Sequence, residues 1–359
     1  MLAALVQASI RHKLVALIAL GLLLLAGGWA AAKLPLDAMP DVSTVQVAVL
    51  TKAPGLSPIE VERTITLPLE NSLNGVPGTD ELRSVSRAGL SAVTMVFKDG
   101  TNPWFARQLV IERLRTAQAD LPPNAETPEL GPVSSGLGEI YQFVVKSDHH
   151  SPMQLRTLLD WEIVPKLRQV PGVVEVNTMG GELKQFQVVV DRSRLKLYHL
   201  TLDQVVERLR ASNLNTGGGY LDRGSESFIV RGEGLLRNED DIASVVLHTE
   251  RDGTPVLVRQ VASVRVGQAL PYGVITTNGQ GEAVTGIVMM LLGENSHKVV
   301  HAVGDRVKEI QKDLPPGVKI EVVYDRSDFV GRTLSTVLHN LLEGVIVVTV
   351  VLALFLGTI

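Results

Sequence analysis

Hydrophobic positions change their spacing several times along this chain, and each change marks an element. Leu14 to Ala32 (LVALIALGLLLLAGGWAAA) and Gly344 to Ile359 (GVIVVTVVLALFLGTI) carry no charge at all. A bilayer core takes about 20 apolar residues in a helix to cross. The first run meets that length and the second reaches most of it. Between them, Val45–Lys52 alternates apolar and polar positions as a strand does. Ser57-Pro58-Ile59-Glu60 then joins a capping box to a proline in the first turn, which predicts a helix to about Leu73 with a kink at Pro68. Glu81–Arg87 and Ser91–Lys98 read as strands. A second helix opens at Asn102-Pro103 and stops before Leu121-Pro122-Pro123, and a short strand follows near Pro128.

The order strand, helix, strand, strand, helix, strand is that of a split βαβ, ferredoxin-like unit, and it recurs. Ile140–Lys146 is a strand, Ser151-Pro152 starts a helix to Val170, and Val173–Met179 is a strand. Much later come a strand at Ala283–Leu292, a helix at Ser296–Lys312 and a strand at Val318–Tyr324. Local detail repeats too: Gly75-Val76-Pro77-Gly78 corresponds to Gln169-Val170-Pro171-Gly172, and Leu121-Pro122-Pro123 to Leu314-Pro315-Pro316. An insert of about 90 residues, Gly181 to Tyr272, separates the halves of the second copy. It has its own strand (Leu183–Val190), a helix opened by the capping box Thr201–Gln204, and a glycine loop at Gly217-Gly218-Gly219. Short strands at Val256–Val258 and Val264–Val266 follow the turn at Asp252-Gly253.

The fold class is therefore membrane α-helical plus α+β. Residues 1–13 form a cytoplasmic N-terminus, 14–33 a first membrane helix, and 34–134 the first repeat. Residues 135–180 and 273–330 form the second repeat, 181–272 the insert, and 331–359 a second membrane helix that the chain's end cuts short. Arg11, His12 and Lys13 place the N-terminus inside and the central domain outside the membrane, and Trp29 suits the interface. A cleaved signal peptide ending at Ala30-Ala31-Ala32 is the alternative, but its apolar core is usually only about 7–15 residues. The chain lacks cysteine, which fits a large periplasmic domain held by its core and removes thiolates from any metal site. Its net charge of −4, without a basic stripe, argues against nucleic acid as a partner.

Few residues demand chemistry. Asn215-Thr216-Gly217-Gly218-Gly219 lacks the strand, helix and lysine of a phosphate cradle and reads as a flexible turn. No GxSxG, HExxH or paired-cysteine pattern occurs. His297 and His301 stand four residues apart on one helix face, as two metal ligands would, and Asp305 continues that face. Val299, Val303, Val307 and Ile310 would form the buried stripe of the same helix, leaving the histidines solvated. Asp148-His149-His150 reads as a solvated turn. The methionines are scattered, and adjacent Met289 and Met290 point to opposite faces of a strand, so no soft Cu(I) or Ag(I) site emerges. Neither uncharged run contains the ionisable residue that proton coupling needs.

The run Lys33-Leu34-Pro35-Leu36-Asp37-Ala38-Met39-Pro40-Asp41 resembles the start of the periplasmic loop in resistance-nodulation-division (RND) efflux transporters. Four further runs resemble the heavy-metal efflux branch: Gly131 to Gln142 (GPVSSGLGEIYQ), Asn215 to Gly219, Gly293-Glu294-Asn295-Ser296, and Tyr324-Asp325-Arg326-Ser327. The resemblance covers essentially the whole chain and implies two porter subdomains, a docking-subdomain insert and a homotrimer in the bacterial inner membrane. Partners would be a periplasmic adaptor protein, an outer-membrane channel and the lipid bilayer. The protein would be a secondary transporter, not an enzyme, driven by proton entry, with no cofactor. Its cargo would be Zn²⁺, Co²⁺ or Cd²⁺, with Cu(I)/Ag(I) the neighbouring option. In that family the proton relay and best-understood metal ligands lie beyond the position of Ile359, so no such residue is assigned here. Two other readings stand beside it: an RND pump for drugs or amphiphiles, against which a 4% aromatic content counts, and a two-pass sensor or receptor, which should continue into cytoplasmic heptads.

Overall fold

A computed structural model describes residues 11–33, 43–271, 273–279 and 281–356. The Lys33–Asp41 run therefore lies outside the described residues from position 34 onward. Helix α1 spans Lys13–Lys33. The first repeat follows as β1 (Gln46–Lys52), α2 (Pro58–Val61, Glu62–Thr66 and Leu67–Leu73), β2 (Thr79–Arg87), β3 (Leu90–Phe97), α3 (Pro103–Ala117) and β4 (Glu129–Leu130). Its strands form one sheet in the order β2-β3-β1-β4, and each neighbouring pair is antiparallel. Alternation in β1 buries Val47, Val49 and Thr51. Val47 and Val49 join Val93, Met95 and Phe97 of β3 in a core completed by Ile65, Leu69 and Leu73 of α2 and by Ala106, Val110 and Leu114 of α3. Each large side chain so buried stabilises the repeat by about 1.5–3 kcal/mol.

Helix α2 begins as its residues dictate. Ser57 Oγ accepts from the Glu60 N–H at 3.4 Å, and Glu60 Oε2 accepts from the Ser57 N–H at 2.8 Å. The helix then runs through Pro58–Val61, a π-turn at Glu62–Thr66, and Leu67–Leu73. The kink expected at Pro68 takes the form of this π-turn. Proline crowds the carbonyl four residues back, and widening the turn relieves it: the Leu67 N–H reaches Glu62 O, five residues back.

The second repeat opens with β5 (Glu139–Lys146) and helix α4, which has the same construction. It starts at a Ser151/Gln154 capping box, runs through Pro152–Leu158, makes a π-turn at Leu159–Ile163, and finishes over Val164–Arg168, with Pro165 one residue beyond Val164. Strand β6 is Val173–Met179.

The insert comprises β7 (Lys184–Val190), α5 (Arg192–Leu197), α6 (Leu202–Ser212), β8 (Thr216–Arg223), β9 (Glu226–Gly232), α7 (Glu239–Ala243), β10 (Val246–Thr249), β11 (Pro255–Leu257), α8 (Val258–Val261) and β12 (Ala262–Gln268). β7 pairs antiparallel with β12. Leu195, Val205, Val245, Leu247, Val256, Val258 and Val261 form its own core. The glycines at 217–219 are not a flexible turn but belong to β8, which forms an antiparallel hairpin with β9. The register shifts between Gly217 and Tyr220, and Gly219 at φ +79° supplies the conformation that such a bulge needs.

The second repeat resumes with β13 (Val284–Met290), α9 (Ser296–Asp313) and β14 (Lys319–Asp325). Its sheet order, β14-β5-β13-β6, matches that of the first repeat when read in the reverse direction. Helix α10 (Arg326–Leu356) starts at the residue after β14 ends. The chain divides into two compact units. One holds the chain up to Val145, Ile163–Thr178 and the chain from Thr285; the other holds Lys146–Glu162 and Met179–Val284. The second unit thus takes in more than residues 181–272.

Among the described residues, Arg326–Phe355 is the one helix long and apolar enough to cross a membrane; the apolar stretch Leu14–Ala30 is shorter. Helix α10 starts at Arg326, where Asp325 caps it, its Oδ1 accepting from the Ser327 N–H at 2.8 Å and from the Ser327 hydroxyl.

Candidate functional site

Helix α9 carries the histidine pair. Asn295 caps it, Oδ1 accepting from the Lys298 N–H at 3.0 Å. Val299, Val300, Val303, Val307 and Ile310 are buried along one side, as the valine spacing predicts. His297 and His301 lie exposed on another face, with Nε2 atoms 3.2 Å apart and ring centroids 4.3 Å apart, edge to face. Asp305 is on the same side but does not join them. Lys308 Nζ holds Asp305 Oδ1 at 2.9 Å, and that hydrogen bond, with the lysine's charge, keeps the carboxyl below the usual carboxylate range. Among the described residues no group of three or more histidine, aspartate or glutamate side chains is placed to hold a metal.

The remaining candidates are occupied locally. His150 Nδ1 and Ser147 Oγ are 2.9 Å apart, and the His149 N–H donates to the same hydroxyl. Met290 is buried, whereas the Met289 thioether accepts from Asn177 Nδ2 at 3.1 Å. Gly218 is no phosphate cradle: a Cβ there would meet Val230 at 2.8 Å, so this glycine serves hairpin packing.

A second constellation surrounds the start of α10. Arg326 is only 6% exposed and donates to Leu137 O. Tyr141 is also buried, and burial, with the charge of Asp325 second, pushes its hydroxyl up to about 12. Gly136, Leu137, Glu139, Gln142, Tyr324, Arg326 and Phe329 line a cleft of about 470 Å³ beside this seam. Reading the sequence for chemistry missed it, because no motif signals a buried arginine at a strand–helix joint. The signal lay in the resemblance instead. Tyr324-Asp325-Arg326-Ser327 is the seam itself, and Gly131 to Gln142 packs against β13. There Ser134 Oγ donates to Met290 O at 3.0 Å and the Met290 N–H donates to Gly138 O at 2.8 Å. Gly293 to Ser296 is the turn and cap that launch α9.

These two repeats joined to a membrane-length helix are those of a transporter family. The chain belongs to the AcrB/AcrD/AcrF family, whose model matches residues 5–359. It is 45% identical over 366 residues to Protein HelA of Legionella pneumophila, covering 100% of this chain and 34% of that protein. It is 46% identical over 336 residues to the cobalt-zinc-cadmium resistance protein CzcA of Cupriavidus metallidurans, covering 91% of this chain and 31% of that protein. A crystal structure of a heavy metal efflux pump matches it with a TM-score of 0.90 at 36% identity, over 99% of this chain and 35% of the other. The chain thus spans about a third of the length of the curated relatives it matches. The resemblance to heavy-metal RND transporters is borne out.

Proposed function

We propose that this chain forms part of an inner-membrane RND pump that exports heavy-metal cations of the Zn²⁺, Co²⁺ and Cd²⁺ type, or Cu(I)/Ag(I). The observation that carries the reading is the likeness, over 99% of the chain, to a heavy metal efflux pump. On this reading the first repeat (34–134) and the second (135–180 with 273–330) are porter subdomains, and the insert (181–272) is the docking subdomain. The runs at 14–33 and 331–359 are the flanking membrane helices. The cations are cargo rather than cofactor, proton entry supplies the energy, and the pump works with a periplasmic adaptor and an outer-membrane channel.

The hairpin β8–β9 supports assembly of several copies. All its residues are exposed, Tyr220 and Ile229 by about three-quarters and Leu221, Phe228 and Val230 by about half. An isolated two-stranded hairpin is at best marginally stable in water, and clustered exposed apolar side chains mark interaction surfaces. A neighbouring protomer of the homotrimer would cover them.

Deleting the intact gene should raise cellular Zn²⁺, Co²⁺ or Cd²⁺ under metal load, measured by elemental mass spectrometry, and restoring the gene should reverse the rise. Unchanged contents of all three, and of copper and silver, would sink the proposal.

A further inference from the structure

We infer that His297 and His301 form a solvent-facing chelate for one borderline divalent cation, with Cu²⁺ and Zn²⁺ as the best fits. The inference goes beyond the export reading and does not rest on it. The geometry carries it. Two zinc–imidazole bonds of about 2.0–2.1 Å at a tetrahedral angle set their nitrogens about 3.3 Å apart. A square-planar ion with bonds of that length brings them to about 2.9 Å. The observed 3.2 Å between the two Nε2 atoms falls between these values. The same ring atoms converge from both residues, so one ion reaches both without a change of backbone, since positions i and i+4 are stacked one turn apart.

In the metal-free protein, one Nε2–H can donate to the other ring's lone pair, which keeps the two nitrogens within reach of one ion; from centroids 4.3 Å apart, the rings then need only swing apart about their side-chain bonds to aim both lone pairs at it. Exposure leaves the other coordination positions to water. The donor set also selects the cation. Imidazole suits Cu²⁺, Ni²⁺ and Zn²⁺, with Cu²⁺ bound most tightly, whereas Ca²⁺ and Mg²⁺ want oxygen ligands. Local charge weakens the site. Lys298 is beside His297 in sequence, the helix N-terminus carries positive partial charge, and Asp305 is held by Lys308. A two-ligand site under these conditions exchanges its ion readily.

The test is Zn²⁺ and Cu²⁺ binding to the full transporter in lipid nanodiscs, by calorimetry and by electron paramagnetic resonance of the Cu²⁺ form. Wild type should hold one more ion than the His297→Ala/His301→Ala double variant. Each single variant should bind that ion at least about tenfold more weakly, having lost one of two ligand bonds. The Cu²⁺ spectrum should show two imidazole nitrogens in wild type and lose that pattern in either single variant. Both histidines are exposed, so circular dichroism should be unchanged by the substitutions. Equal stoichiometry and affinity in wild type and double variant would overturn the inference. So would a two-nitrogen Cu²⁺ signal that survives both substitutions, since it would belong to other histidines. Failure of the export experiment would leave all these readouts standing.

Discussion

Gly286 sits in the middle of β13, where a glycine ordinarily weakens a strand by giving nothing to pack. Its neighbour explains it. A Cβ at this position would lie 2.3 Å from Cζ of the buried Phe143 ring, so the ring occupies the volume that any other residue would need. Gly286→Ala should therefore lower stability by about 1–3 kcal/mol, the usual cost of overpacking a well-packed core, read as an earlier thermal melt. Adding Phe143→Leu should recover part of that loss, giving a favourable interaction in the double-mutant cycle. A Gly286→Ala protein that melts with wild type would refute this account. Gly172 shows the same logic at a turn. Its φ of +88° and the Val299 side chain, 2.5 Å from where a Cβ would stand, both require glycine.

At the scale of elements, three helices begin with the same reciprocal device: Ser57/Glu60, Ser151/Gln154 and Thr201/Gln204. Only the first uses a charge. The Ser57 N–H holds the Glu60 carboxyl below its ordinary 4.5. A depressed folded-state pKa contributes stability that is present above 4.5 and lost as pH falls through the folded value. Glu60→Gln keeps an acceptor, as Gln154 and Gln204 do, without the charge. Chemical unfolding should find wild type more stable at pH 7, with the gap closing as pH falls below 4.5. A gap unchanged across that range would refute the assignment. These capping boxes, with the period-2 runs of the strands, make both repeats legible in the amino-acid sequence. Other elements leave no such mark. Every residue of β8 is exposed, so it has no burial period to read, and its glycines look like a loop. Helices α5 and α7 are six and five residues long, too short to show a helical period. The π-turn before Pro165 escapes the sequence reading, although its counterpart at Pro68 is expected as a kink. The histidine pair is legible because i,i+4 spacing is geometry in itself; the capture of Asp305 by Lys308 depends on rotamers that spacing does not specify.

For the whole molecule, the hairpin β8–β9 should matter to assembly and not to folding. Ile229→Ser with Tyr220→Ser should leave the thermal melt of the chain unchanged, because neither side chain packs against this chain's core. On the proposed trimeric reading, the same changes in the full transporter should shift native mass spectra from trimer toward monomer. A trimer population equal to that of wild type would remove the hairpin from the interface. The joint between β14 and α10 has a different consequence. Asp325 ends an edge strand and Arg326 begins the long apolar helix, with no slack between them and the arginine tied to Leu137 O. A piston stroke of one helical residue, about 1.5 Å, would pull β14 out of register with β5 unless the sheet moved too. The second repeat and its helix should therefore move together.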